Sequence, residues 1–536
     1  MYELIHDYLV PLSLCYFMLC QWSLSKSNKE IRRKLGLDPV VTRGSRTSLF
    51  ILLFVGGFAS ASTPAREVQA ALADLKTLPA EKRPFIRYLS MHGTDPLLLE
   101  DTAHSVSYVL NAMGHARKIF PVARRGDYQI IRIDIRWYAT DDEQIKQWIQ
   151  AWENLANRDP YFHKLTTIAE DVKVQKLEEL KPDKRNGEEL PKPGVIKAKA
   201  KKIRDVVVDS GVDPKDAAEL RELTGSVGAV LRADWFIANA FVTPSYYEFA
   251  GVPEKLEDFY KSIGLDINVI RKLEADTGAN LGISNVTFKP RRVISQTGPL
   301  GRVYITYDVN KVTADRDFIR RPINADGLKA VFDAREIFGK KANGLWLLAL
   351  YDSADRRQNE VPQNIVAQDQ SEPHANMPIT PGMSCIRCHV ESGLRTFTDD
   401  QLKLLTGPIQ LNSYRSELVQ RLLGFHDPAR MAREMAYDRE DYDAAVNALT
   451  FGALDAKQMA STLAFTFRRY AVDQVTPEQA AVELGVGKED LKAIAAGGQT
   501  DIHFARLASG DSILRATWES SFPEAIARAE IWRAKK

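Results

Sequence analysis

Cysteine is scarce in this chain: Cys15, Cys20, Cys385 and Cys388 are the four in 536 residues. So few cannot staple a fold of this size, and the core has to come from apolar packing. A charge excess of one sign is missing too. Lysine and arginine total 72 against 70 for aspartate and glutamate, a formal net charge of +2. A dedicated nucleic-acid binder carries a marked basic excess, so no nucleic-acid partner is expected. Long apolar runs are also lacking. Leu9 to Trp22 is broken by Pro11, and Leu49 to Phe58 is short, whereas a spanning helix needs about 20 apolar residues. No nucleophile elbow, P-loop, solenoid-length repeat or second C-x-x-C pair occurs. The remaining balance, 45% hydrophobic and 26% charged, is that of a globular protein rather than a disordered one.

The second apolar stretch carries a processing pattern. Arg43 and Arg46 precede the apolar LFILLFVGGF, and Ala59-Ser60-Ala61 forms a small-residue cleavage site. An export signal over residues 41–61 is expected, with the mature chain starting near Ser62 in the periplasm. Translation is expected to begin downstream of Met1, so that residues 1–40 are an upstream extension. Membrane association follows only if that leader is retained. Its removal leaves Cys385 and Cys388 as the two thiols of the mature chain.

Four further segments divide the rest. Residues 62–180 read as a mixed α/β domain, with helical periodicity over 63–80, 97–113 and 145–156 and period-2 alternation over 128–138. Residues 181–205, dense in charge with Pro182, Pro191 and Pro193, read as a surface linker. A second mixed segment spans 206–370, with a helix over 231–241, a strand over 302–309 and paired strands around a turn at 339–344. Residues 371–536 read as a mainly helical domain. Thr476-Pro477-Glu478-Gln479 is a capping box that should start a helix. The segment 476–495 could pass for a helix-turn-helix, but two short packed helices suit a near-neutral exported chain better.

One motif carries chemistry. Cys385-Ile386-Arg387-Cys388-His389 has the spacing of covalent haem c attachment. Two thiols at that spacing add across the haem vinyl groups, and the adjacent imidazole of His389 can ligate the iron. A zinc site would need two further ligands at comparable spacing, which the sequence does not supply. A thioredoxin-like pair would need a strand-then-helix context, whereas MPITPGMSC upstream is loop-like. For the sixth iron ligand, the candidates are His374, Met377, Met383, His426, Met431, Met435, Met459 and His503. Met431 and Met435 are favoured because they lie one helical turn apart after Asp427-Pro428. Met there raises the potential, while an open position suits ligand binding or peroxide chemistry. His92, His104 and His115 lack a carboxylate or cysteine at ligand spacing and read as structural.

The chain resembles a group of exported bacterial proteins of uncharacterised role with a mono-haem c-type cytochrome region. The segments that carry the likeness are RPFIRYLSMHG (83–93), IIRIDIRWY (130–138), LRADWFIANAF (231–241) and EIFGKKANGLWLLALYDSADRR (336–357). They continue with IVAQD (365–369), MSCIRCH (383–389) and RRYAVDQVTPEQAAVELGV (468–486). The resemblance implies haem binding and electron transfer. The segment 181–204 is longer here than in the group's pattern.

The expected architecture is therefore a mixed α/β N-terminal part joined to a helical, cytochrome c-like C-terminal region. The expected function is one-electron transfer through one covalent haem c to a redox partner protein, rather than catalysis. The alternatives are a haem-based sensor or partner-binding protein, or a peroxidase-like oxidoreductase at an open iron. Carbon monoxide binding by the reduced protein separates them.

Overall fold

Two structural units divide the chain, residues 1–59 and 60–536. The computed structural model describes residues 64–92, 94–122, 130–161, 214–266, 279–283, 289–299, 301–313, 316, 331–361, 379–389, 428–472, 474–496 and 501–533, all in the second unit. The export signal, the linker at 181–205, His374, Met377, His426 and residues 365–369 lie outside the described residues.

A small sheet opens the unit. Strand β1 (Ile86–Ser90) lies between β2 (Ile130–Asp134), antiparallel, and β3 (Val230–Arg232), parallel. All five residues of β1 are buried, because the strand is central and covered on both faces. Around this sheet run α1 (Pro64–Lys76), α2 (Leu99–Met113) and α3 (Asp142–Ala156). The expected strand over 128–138 ends at Asp134. Its carboxylate accepts the Arg136 N–H and pairs with the Arg136 guanidinium, which turns Ile135–Tyr138 into a 3-10 helix. The expected helix over 231–241 likewise gives its first residues to β3.

Next come α4 (Pro214–Thr224), α5 (Ala233–Ala240), α6 (Ser245–Ala250) and α7 (Leu256–Ser262). A five-stranded antiparallel meander follows: β4 (Ala279–Ile283), β5 (Pro290–Gly298), β6 (Gly301–Asp308), β7 (Ala334–Lys340) and β8 (Trp346–Asp352). The expected turn at 339–344 is shorter than the pattern suggested. Gly339 and Lys340 still pair, with Leu347 and Trp346. Lys340 stays in the strand because its ammonium reaches Asp438 and Asp441 across the sheet face.

The C-terminal part is mainly helical: α8 (Met383–Cys388), α9 (Pro428–Leu449), α10 (Ala456–Ala471), α11 (Pro477–Leu484), α12 (Leu491–Ala495), α13 (Ile502–Ser509) and α14 (Arg515–Arg533). A two-stranded pairing of β9 (Gln474–Val475) with β10 (Ile513–Leu514) ties it together. The capping box is formed, with Thr476 and Gln479 each satisfying the other's backbone N–H. The segment 476–495 is two short helices, α11 and α12.

Residues 62–180, 206–370 and 371–536, separated on composition, share one apolar core. β1 pairs with β3 across the first boundary, and α2 packs on α10 across both. A buried Tyr108–Tyr442 hydroxyl pair at 3.0 Å and Ser105 donating to Thr466 at 3.2 Å cross the same seam. The fold is thus mixed α and β. Among the described residues, no helix is long and apolar enough to cross a membrane.

Candidate functional site

The C-x-x-C-H motif sits on the one-and-a-half-turn helix α8. Its entry is fixed by Gly382, whose φ of +89° favours glycine, and where a Cβ would lie 2.4 Å from the Phe241 carbonyl oxygen. That close approach lets Met383 N–H donate to the same carbonyl at 2.9 Å. Ser384 Oγ accepts the Thr380 N–H at 3.2 Å, which holds the incoming strand against the helix. At the other end, His389 N–H donates to the Cys385 carbonyl at 2.9 Å. Cys385, Cys388 and His389 thus occupy backbone positions i, i+3 and i+4 of one turn, the spacing that shares a helix face.

Helix α8 lies on one face of the meander. β7 alternates, so Glu336, Phe338 and Lys340 share that face, with Glu336 and Phe338 opposite Thr306 and Tyr304 of β6. The Phe338 ring lies 4.6 Å from the His389 imidazole, centroid to centroid. Cys385 is buried, and its Sγ donates to the Glu336 carboxylate at 3.5 Å. Glu336 faces Arg291 at 3.5 Å, and Arg291 pairs with Asp308 at 2.8 Å. Burial pushes the Glu336 carboxyl above its usual pKa, and Arg291 opposes that. Burial works against the charge of Arg291, but Asp308 and Glu336 outweigh it and hold its pKa above the ordinary value.

Behind Cys385 lie two buried tyrosines. Tyr246 and Tyr247 accept the N–H groups of Leu348 and Leu350, both at 2.9 Å, so the motif is backed by a rigid polar layer. Arg387, 7% exposed, lays its guanidinium over the Phe467 ring of α10 at 5.2 Å.

Helix α9 meets the same face of the sheet through Glu434 and Asp438. Met431 and Met435 are 1% and 4% exposed on α9. Their stripe includes Glu434, which bonds Ser295 at 3.0 Å, and Asp438, which accepts from Tyr304 at 2.7 Å and Lys340 at 2.8 Å. Tyr304 is the ladder partner of Phe338, the residue against the His389 ring. Met459 and Met383 are wholly buried on α10 and α8, and His503 is exposed beside the Asp501 cap of α13.

The three upstream histidines take separate places. His92 Nε2 lies 2.8 Å from the Glu483 carbonyl oxygen, with its pKa lowered by burial. His104 is buried on α2. His115 is pushed down to about 4 by burial and by the Lys341 ammonium.

The residues that sequence reading missed are Glu336, Arg291 and Phe338. No local signal marks Glu336, because its strand AREIFGK also carries Arg335 and Lys340. Only cross-strand register shows that it meets Arg291 and Cys385.

No family model, no curated protein and no solved structure matches the chain.

Proposed function

We propose that the protein is an exported c-type cytochrome that transfers single electrons in the periplasm through one covalently attached haem c. The observation that carries this reading is the C-x-x-C-H sequence on a single helical turn, with Cys385 buried and His389 seated against Phe338. The donor set suits the group: a buried thiol, a second cysteine three residues on, and an imidazole at the end of the same turn. Cys385 and Cys388 would anchor the haem and His389 would be its proximal ligand, with Met431 or Met435 as the sixth. When bound, the haem supplies a one-electron couple whose potential follows its axial ligands and burial.

The chain's own residues do the rest. Gly382 and Ser384 fix the entry of the motif helix. Phe338 restricts the rotation of the His389 ring, and the Glu336–Arg291 pair sets a polar, low-dielectric surrounding for the Cys385 sulfur. The cytochrome c-like character of the C-terminal region belongs to this proposal, as do export and a protein redox partner.

Spectra of the purified protein, oxidised and reduced, with and without carbon monoxide, test the reading. Reversible one-electron reduction with no carbon monoxide adduct is expected of a six-coordinate Met/His haem. Ready formation of the adduct would replace electron transfer with a sensor or peroxidase-like role.

A further inference from the structure

We infer that Glu336 couples a proton to the electron: its carboxylate takes one proton from water when the attached haem is reduced and releases it on oxidation. The inference rests on the cytochrome reading and adds a regulation of that same site. One electron arrives from the redox partner protein with one proton from water, so the net charge of the site is unchanged.

Glu336 stands where such a group has to stand. Its carboxylate meets the Cys385 sulfur at 3.5 Å, and Phe338, two residues along the same strand face, packs on the His389 ring. It thus touches the first anchor and neighbours the residue that seats the imidazole.

The cluster around it holds one carboxylate too many. Asp308 of β6 and Glu336 of β7 share a single guanidinium, that of Arg291 on β5. Arg291 spends its fork on Asp308, with Nε 2.8 Å from Oδ1 and Nη2 3.1 Å from Oδ2. Thr306 adds a further bond to Asp308 at 3.4 Å. Glu336 keeps only the looser approach of Arg291 Nη1 at 3.5 Å. Among the described residues, no other charge compensates it. Leu350 faces it from β8, and Tyr246 and Tyr247 of α6 turn their hydroxyls to main-chain N–H groups of β8. Lys340, further along β7, is held by Asp438 and Asp441 of α9. Two carboxylates sharing one cation away from water favour a proton on the less compensated of them. Burial accordingly holds the Glu336 carboxyl above its usual pKa, with Arg291 opposing and Asp308 adding to the effect.

Haem attachment sharpens the coupling. The Cys385 thiol is the hydrogen-bond donor to Glu336, and a thioether sulfur has no proton to give. The attached site leaves the carboxylate with Arg291 alone, which favours its neutral form. An electron added beside it raises its proton affinity again, because nearby negative charges repel strongly in a low dielectric. The side chain remains 16% exposed, which gives the proton a route to water.

Redox titration of the haem-stained, full-chain protein from about pH 5 to 9, above the ordinary carboxylate range, tests this. The midpoint potential should fall as pH rises through a window, by up to about 59 mV per pH unit, the equivalent of tenfold in protons for one electron. Glu336→Gln should abolish the sloping segment. Asp308→Asn frees the Arg291 fork for Glu336 and should move the segment to lower pH, and it decides if the first variant fails to fold. A slope that these variants leave in place belongs to another group, such as a haem propionate, and overturns the inference. A level midpoint in stained wild type overturns it while leaving the cytochrome reading intact, whereas a chain that takes no stain removes both.

Discussion

Asp438 shows how much one carboxylate can hold. At 3% exposure it accepts from Tyr304 and Lys340 and pairs with Arg302 at 3.2 Å, so α9 is bolted to the meander by a buried charge. Asp438→Ala leaves the buried Tyr304 hydroxyl without its acceptor, while Lys340 keeps Asp441 and Arg302 keeps Glu434, and it should cost about 1–3 kcal/mol in urea unfolding. A loss under 1 kcal/mol would mean the pairings are solvated. Glu483 gives a pH signature. Burial alone would raise its pKa, but Arg232 and Arg515 reverse that and hold it at about 2. Its folded value is therefore depressed below the unfolded one of about 4.3. The stability it contributes is present above pH ~4.3 and is lost as pH falls toward 2. Glu483→Gln should flatten the acid limb of the stability profile in that window, and an unchanged acid limb would contradict the pairing. Neither residue stands out in the sequence. Asp438 lies in the charged run YDREDYD and Glu483 in an ordinary amphipathic helix, and only tertiary packing turns them inward.

At the scale of elements, the sequence announced those whose signal is local. Helices α1, α2 and α3 follow from apolar spacing, and α11 follows from its capping box, because both are written within a few residues. β1 was illegible: a strand buried on both faces has no alternation, and IRYLS contains an arginine that is buried because Glu153 pairs with it at 3.1 Å and the Pro84 and Ile86 carbonyls accept from it. Helix α9 starts at Pro428, as the Asp427-Pro428 boundary suggested, and carries Met431 and Met435 as buried residues on the stripe of Glu434 and Asp438, which bond the sheet. On the proposed reading, one of the two is the thioether ligand. Its change to Ala should remove the weak near-infrared sulfur-to-iron band and lower the potential. The other, as core, should cost about 2–5 kcal/mol and leave the spectrum alone. Two single variants that both keep the band would remove this pair from the site.

The whole unit behaves as one body in which the motif is an insertion between a sheet and a helical layer. Composition divided it at the proline- and charge-rich stretch near residue 181. The core ignores that division, because β1 pairs with β3 and α2 with α10 over long sequence separations. A shared core predicts cooperative melting. Thermal transitions followed by far-ultraviolet and near-ultraviolet circular dichroism should coincide, and two separated midpoints would indicate independent domains. The C-x-x-C-H spacing is legible because it is written in adjacent residues, whereas its setting of Phe338, Glu336 and Arg291 is assembled from strands far away in sequence. The most direct measurement is haem staining of the exported protein on a denaturing gel, beside the Cys385→Ala/Cys388→Ala double variant. The account predicts stain at the mature-chain band of the wild type and none in the variant, since no other thiol follows the expected cleavage site. An unstained wild type, or undiminished stain in the variant, would contradict it.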